Sequence, residues 1–400
     1  MSAVVPPPPP RGNRPSRRGF LALAGATALA GCGGIALPRL PGSGPAPVDP
    51  ARGVVVALLV PAGSSDQGQQ ILATSLENAA RLAVADLEGV SIDLRVYGTG
   101  GRPDRAVEVA RQAVAEGAQV ILGPVLGPEA AAVGPAVAAS GVNVLSFSNN
   151  TAVAGGNVFV LGMTFENTAR RLLAYAAAQG RSRVMIVAER NARGELARSA
   201  IQRAVAGTGA SIVATETYEF SQSGIVNALP AIAATARSSG AQALFFTDDT
   251  AGALPILSQL LPDNRIAHPQ FQFIGLTRWD IPPASLQLRG LQEGWFALPD
   301  PGLYGRFEAR YQAAHGTAPH PIAGLAYDGV AAIGALLRTG QADALSRAAL
   351  TQGSGFAGVN GIFRLMPDGT VQRGLAVAAI RNNAVVILDA APRSFAGAGS

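Results

Sequence analysis

Val54-Val55-Val56-Ala57-Leu58-Leu59-Val60 is an apolar run of strand length with no polar face, so both sides of the strand it predicts must be buried. Directly after it, Gln67 to Leu87 sets Ile71, Leu72, Leu76, Ala79, Ala80 and Ala83 on one helical stripe. A two-sided strand feeding an amphipathic helix begins a βαβ unit. The alternation continues with a strand over Ile92–Tyr97, a helix over Asp104–Glu116, a strand over Val120–Leu122, a helix over Pro128–Ala139 and a strand over Asn143–Ser146. A second series starts beyond Leu161. It places helices at Glu166–Gln179, Arg193–Ala206, Ile225–Arg237 and Ala251–Leu261, and strands at Arg183–Ala188, Ser211–Glu216, Ala243–Thr247 and Gln272–Ile274. The tail departs from this rhythm. Helices at about 303–315 and 322–338 precede strand-like runs Gly361–Leu365, Leu375–Ile380 and Ala384–Leu388, with a turn at Pro367-Asp368-Gly369. The pattern predicts an α/β protein with two parallel-sheet lobes in tandem, completed by late elements. No short-period repeat is present.

The chain is 400 residues long with a formal net charge of +5, yet that charge sits at the N-terminus. Residues 1–31 hold four of the 31 basic residues, namely Arg11, Arg14, Arg17 and Arg18, and no acid; removing them leaves 27 basic against 26 acidic residues. A near-neutral body carries no basic footprint for nucleic acid. The apolar run Phe20 to Leu29 that follows these arginines is too short for a mature transmembrane helix. Its entrance, Ser16-Arg17-Arg18-Gly19-Phe20-Leu21, resembles a twin-arginine export signal, and its exit, Leu29-Ala30-Gly31-Cys32, resembles a lipobox. The resemblance implies a signal peptide over 1–31, a lipidated Cys32 and a flexible tether over 32–52, rich in Pro and Gly from Leu37 to Pro50. It also implies a protein at the periplasmic face of the outer membrane, since Gly33 is not the Asp that retains lipoproteins at the inner membrane. Cys32 is the single cysteine, which excludes an intramolecular disulfide.

Within the body, Val56-Ala57-Leu58-Leu59-Val60-Pro61, Gly123-Pro124 and Ala326-Tyr327-Asp328 resemble type I periplasmic binding proteins over about residues 53–390. That resemblance implies two Rossmann-like lobes joined by a multi-crossing hinge, as in leucine/isoleucine/valine-binding proteins. The first lobe is expected over 53–161 plus about 296–345, the second over 162–295 plus about 346–392, and a tail over 393–400. Leu94-Arg95-Val96-Tyr97 with Thr99, Gly117-Ala118 through Gly123-Pro124, Gly290-Leu291-Gln292, and Gly355-Phe356-Ala357-Gly358-Val359-Asn360-Gly361 look most like the binding-protein-like domain of penicillin-binding-protein activator lipoproteins. The helical-repeat domain that precedes it in the enteric activators has no counterpart here.

Open parallel sheets place ligands beyond the carboxyl ends of their strands. Ser64 and Ser65 after the first strand, and Ser146, Ser148, Asn149, Asn150 and Thr151 at a polar strand exit, are candidates on the first lobe. Glu189, Arg190 and Asn191, with Asp248, Asp249 and Thr250, are candidates on the second; Asp249 and Thr250 equally suit a helix cap. Tyr327 is a candidate by the resemblance, although a core aromatic beside a salt-bridged Asp328 fits as well. The Ser/Thr cluster that grips a ligand carboxylate in the amino-acid-binding branch is missing: Leu126, Gly127, Pro128 and Glu129 stand there.

Enzyme readings are poorly served. Every basic residue is Arg, so a Walker phosphate loop, a Schiff base and a Ser-x-x-Lys nucleophile are excluded. His268, His315 and His320 lack zinc-ligand spacing. Gly98-Thr99-Gly100-Gly101 lacks the third glycine of a dinucleotide fingerprint. Trp279 and Trp295 suit either a contact patch or the core. No metal or cofactor is implied. Two functions follow: a regulator of a class A peptidoglycan synthase, favoured by the late Gly355–Gly361 segment and the missing hydroxyl cluster, and a lipoprotein that captures small polar solutes such as branched-chain or other amino acids for an ABC permease.

Overall fold

The computed structural model describes Val48 and residues 53–395. Strand β1, Val54–Val60, is an interior strand of the first lobe's sheet and is packed from both sides. Val54, Val56, Leu58 and Val60 enter one core, while Ala57 and Leu59 enter a second on the opposite face. The uninterrupted apolar run is thus the signature of a strand sandwiched between helix layers. Beside it lie β2 (Ile92–Gly98), β3 (Val120–Leu122), β4 (Asn143–Ser146) and β5 (Val158–Val160), in the order β2-β1-β3-β4-β5 and parallel throughout. Helix α1 (Gln67–Ala85) covers one face, and α2 (Pro103–Ala115) and α3 (Gly127–Val137) cover the other.

From Leu161 the chain crosses to the second lobe. There α4 (Phe165–Ala178), β6 (Arg183–Glu189), α5 (Ala192–Ala204), β7 (Ser211–Tyr218), α6 (Gln222–Ser238), β8 (Ala243–Phe246), α7 (Leu254–Leu260), β9 (Gln272–Gly275) and β10 (Trp295–Leu298) alternate. Met185 and Val187 face one core, Val184, Ile186 and Ala188 the other. The chain then returns. Helices α8 (Pro301–His315), α9 (Gly324–Leu337) and α10 (Arg347–Leu350), and a small antiparallel sheet of β11 (Phe356–Gly358), β12 (Gly361–Leu365) and β13 (Val371–Arg373), complete the first lobe. A last crossing sends β14 (Ala376–Arg381) and β15 (Ala384–Asp389) into the second sheet, ordered β15-β14-β10-β9-β8-β6-β7, with β14 antiparallel to β10.

Two expected boundaries shift. Residues 295–298 belong to the second sheet through β10, so the return crossing falls at Pro299. Leu350, Phe356, Phe363, Leu365 and Val371 join the first core rather than the second, because the strand-like run Gly361–Leu365 pairs with its own short neighbours and not with the large sheet. The strands not foreseen, β5, β10, β11 and β13, span three or four residues, too few to show a period. Helix α7 starts at Leu254 rather than Ala251, since Asp249 and Thr250 are engaged in a turn. Among the described residues no helix is long and apolar enough to cross a membrane.

Candidate ligand cleft

The first lobe ends its strands in a closely knit set of loops. Gly123, just past β3, has φ +82° and lies so near the Leu59 carbonyl that a Cβ would strike that oxygen; only glycine lets β3 leave beside β1 in this way. The Ser146 hydroxyl donates to the Pro124 carbonyl at 2.8 Å and accepts the Ser148 N–H at 3.1 Å. Ser148 Oγ accepts the Asn150 N–H at 3.1 Å, and Asn150 Oδ1 accepts the Ala152 N–H at 2.9 Å. Ser146 and Ser148 are buried, while Asn149 and Asn150 are exposed. Each of the three bonded side chains supports the next turn of backbone, so they build the exit, and the exposed amides are the groups left to meet a solute. Ser64 Oγ likewise accepts the Asp66 N–H at 3.1 Å, while Ser65 is exposed. Glu129 stands at the third position of α3 and is fully buried behind these loops. Burial pushes its carboxyl up, with the Thr99 hydroxyl and the Leu126 backbone pulling weakly the other way. The carboxyl thus lies inside the lobe and not at the loop surface.

The second lobe ends its strands differently. Glu189 closes β6 opposite Tyr218 of β7, and Val187 pairs with Phe246 of β8, which brings Asp248 to the other side of Glu189. Glu189 is 6% exposed, and Tyr218, Thr247 and Asp248 are each 1% exposed. The Tyr218 hydroxyl, Thr247 Oγ1 and both Asp248 carboxylate oxygens find no hydrogen-bond partner among the described residues. Burial pushes the Asp248 carboxyl up to about 7; the nearby Tyr218 hydroxyl and Arg193 temper the rise, and Glu189 adds to it. Burial and Asp248 raise the Tyr218 phenol as well. Arg193, at the start of α5, pairs with Asp249 at 2.8 Å, and Arg190 pairs with Glu219 at 3.0 Å on the surface. Thr250 Oγ1 donates to the Ile281 carbonyl at 2.6 Å, a loop contact rather than a helix cap. Buried polar groups that lack partners invite one from outside, because leaving them unmet is unfavourable. No group of three His, Cys, Asp or Glu residues is arranged for a metal among the described residues.

Tyr327 lies apart from both sets. Its hydroxyl donates to Asp86 Oδ2 at 2.5 Å, and Asp86 also accepts Arg310 at 2.5 Å. Arg310 first, and then Tyr327, hold the Asp86 carboxyl below its ordinary range, while burial pushes the phenol up to about 12. With Phe307 edge-on at 5.8 Å, Tyr327 ties α1, α8 and α9 together and does not reach the strand exits. Trp279 is buried in the second core over Gly275 and Gly294, and Trp295 meets Tyr175 edge-on at 5.0 Å; both tryptophans are core. Arg17, Arg18 and Cys32 lie outside the described residues. Tyr218 and Thr247 were not singled out from sequence. The predicted strand stops at Glu216, two residues short of Tyr218, and Thr247 reads as one more strand residue.

Residues 53–384 match the family model described as Periplasmic binding protein. No curated protein matches the chain. Among solved structures, a branched-chain amino acid ABC transporter periplasmic ligand-binding protein from Burkholderia xenovorans is similar at TM-score 0.67 and 17% identity, covering 85% of this chain and 96% of that one. An ABC transporter substrate-binding protein from Desulfitobacterium hafniense in complex with Leu gives TM-score 0.62 at 17% identity, covering 84% and 100%. A solute binding protein of an ABC transporter from Rhodopseudomonas palustris in complex with 3,4-dihydroxybenzoic acid gives 0.59 at 16%, covering 85% and 98%. With two lobes of mostly parallel sheet and that family match over most of its length, the chain belongs to the periplasmic binding protein family and has the type I fold of the leucine/isoleucine/valine-binding proteins.

Proposed function

We propose that the protein is a non-enzymatic solute-binding lipoprotein that takes a small polar ligand between its lobes and delivers it to an ABC permease. The observation that carries this reading is the set of buried, unpartnered polar groups of Tyr218, Thr247 and Asp248 at the second lobe's strand exits. They suit a ligand with an ammonium or amide group, such as an amino acid or a related solute. Family membership and the transporter proteins of like fold support the same reading over a regulator of peptidoglycan synthesis, the function that the late Gly355–Gly361 segment favours in sequence. The export signal over residues 1–31 and the acyl chain on Cys32 complete the proposal, keeping the binder in the periplasm within reach of a membrane partner.

Thermal unfolding against amino acids, amides, diamines and aromatic acids is the direct test. A cleft ligand at a hundredfold its Kd raises stability by about 2.7 kcal/mol, and the expected hits share a donor group. If no such solute stabilises the protein and a pull-down from solubilised envelope recovers a class A peptidoglycan synthase without transporter subunits, the regulatory reading replaces this one.

A further inference from the structure

The two large sheets have four edges, β2 and β5 in the first lobe and β7 and β15 in the second, and three of them are guarded. β2 carries Asp93 and Arg95, paired at 2.6 Å, and the same guanidinium donates to the Glu116 carbonyl at 2.9 Å. β5 is covered by the hairpin of the small sheet, whose Gly369 carbonyl accepts the Val160 N–H at 2.9 Å. β7 carries Glu216 and loses register against β6 between Val184 and Met185. Charge, cover and bulges are the means by which proteins keep sheet edges from pairing with other chains. The fourth edge has none of them along Ala384-Val385-Val386-Ile387, since the register shift of β15 against Val377 and Ala378 falls beyond Ile387.

Asn382 and Asn383, at φ +51° and +61°, make the two-residue turn that joins β14 to β15. Such a turn closes on a hydrogen-bonded pair, here Arg381 and Ala384. Counting on by twos, Val386 bonds to Ala379, and Val385 and Ile387 turn their N–H and C=O groups away from the sheet, where no partner meets them among the described residues. The side chains are apolar on both faces. Val385 packs on the core beneath α6 and α7, Leu388 packs on the opposite core, and Ile387 is 38% exposed. The chain after β15 turns off toward the small sheet, with Pro392 against Gly374.

We propose that β15 is the contact surface for a second copy of this chain, paired antiparallel about a two-fold axis through Val386. In that register Val385 of each copy faces Ile387 of the other, and Val386 faces its own counterpart. Four N–H···O=C bonds close, two at each Val385–Ile387 pair, and only apolar side chains meet across the axis. A two-fold contact needs one patch that complements itself, and this segment does so in its hydrogen bonds and in its side chains at once. The two seven-stranded sheets then run on as one. β15 lies along the side of the second lobe and not at its strand exits, so both clefts stay open.

Disulfide trapping reads the register. In a Cys32→Ala chain, which holds no other cysteine, Val386→Cys should link to its own counterpart, because directly opposed residues outside the hydrogen-bonded pairs bring their Cα atoms to about 4.5 Å, within reach of a disulfide. Val385→Cys alone and Ile387→Cys alone should not link, whereas the two mixed should give the crossed dimer. Sedimentation of the chain without an added cysteine should show a mass that rises with concentration toward twice that of one copy. Ile387→Lys, at an exposed position, should weaken that association about tenfold or more while leaving the unfolding temperature close to that of the parent. Neither measurement depends on a cleft solute, so the outcome is separate from that of the solute-binding reading. A parent that stays monomeric at every concentration, Val385→Cys alone trapped as readily as Val386→Cys, or a dimer that survives Ile387→Lys would each overturn the proposal.

Discussion

The two lobes share a plan yet finish it in opposite ways. In the first, the side chains at the strand exits are tied to one another: Ser146 holds Pro124 and Ser148, Ser148 holds Asn150, and Asn150 holds Ala152. In the second, Tyr218, Thr247 and Asp248 are as deeply buried, but their oxygens lack donors among the described residues. A satisfied network fixes a shape. An unsatisfied one stores a demand that a ligand can meet; the first lobe keeps such a group, Glu129, behind its loops, whereas the second gathers them at its strand exits and is the side that gains most when solute arrives.

Asp248→Asn is the sharpest way to break that contrast and carries the largest expected effect. The native carboxyl titrates near 7, well above its ordinary 3.8. A raised carboxyl favours the native state while protonated, so its contribution is present at low pH and is lost as pH rises through about 7. Removing the carboxylate should therefore flatten the fall in stability between about pH 4 and 7 and stabilise the unliganded protein at pH 8, by roughly 4 kcal/mol as an upper bound. The same variant should bind the cleft solute about a hundredfold more weakly. Denaturant melts at a series of pH values, with calorimetry, read both effects. A variant that is less stable at pH 8, or that binds as tightly as the parent, contradicts the view of Asp248 as an open group. Glu129→Gln separates the contribution of the first lobe's raised carboxyl.

Gly123→Ala tests the platform from beneath. Its φ of +82° strains any side chain, and the new Cβ would collide with the Leu59 carbonyl. A loss of about 3 kcal/mol is expected, measured as a lowered urea midpoint at unchanged slope. Since Gly123 lies beside the exit loops and away from Asp248, solute affinity should fall less than stability does.

Much of this was legible in the sequence, and the reasons are specific. Val54–Val60 and Arg183–Ala188 could be read because a strand buried on both faces leaves no polar residue, and the helical stripe after β1 could be read because α1 meets the sheet on one side. β10 was hidden because four residues carry no period, and the lobe boundary shifted with it. At the site, the positions of Ser146, Ser148, Asn150, Glu189 and Asp248 at or just beyond strand ends followed from alternation alone. Their division into bonded and unbonded groups did not, because it depends on which neighbouring strand supplies a partner. Glu129 shows the limit from the other direction: it stands where a hydroxyl cluster would grip a ligand, and the first turn of α3 carries it into the interior.

Ser146→Ala sharpens the comparison at the smallest scale. The hydroxyl makes two bonds, a donor to Pro124 and an acceptor from the Ser148 N–H, and removing it leaves a buried carbonyl and a buried amide with one partner fewer. The Pro124 carbonyl still accepts the Phe147 N–H at 3.0 Å, so the larger deficit falls on Ser148, whose N–H has no other acceptor among the described residues. A loss of about 1–2 kcal/mol follows, with solute affinity reduced about fivefold at most, because the hydroxyl shapes the loop that presents Asn149 and Asn150 and does not itself face the solute. Equal losses in stability and affinity fit this account. A fall in affinity beyond a hundredfold at nearly unchanged stability would instead make Ser146 a direct ligand contact, and the first lobe would then share the demand assigned here to the second.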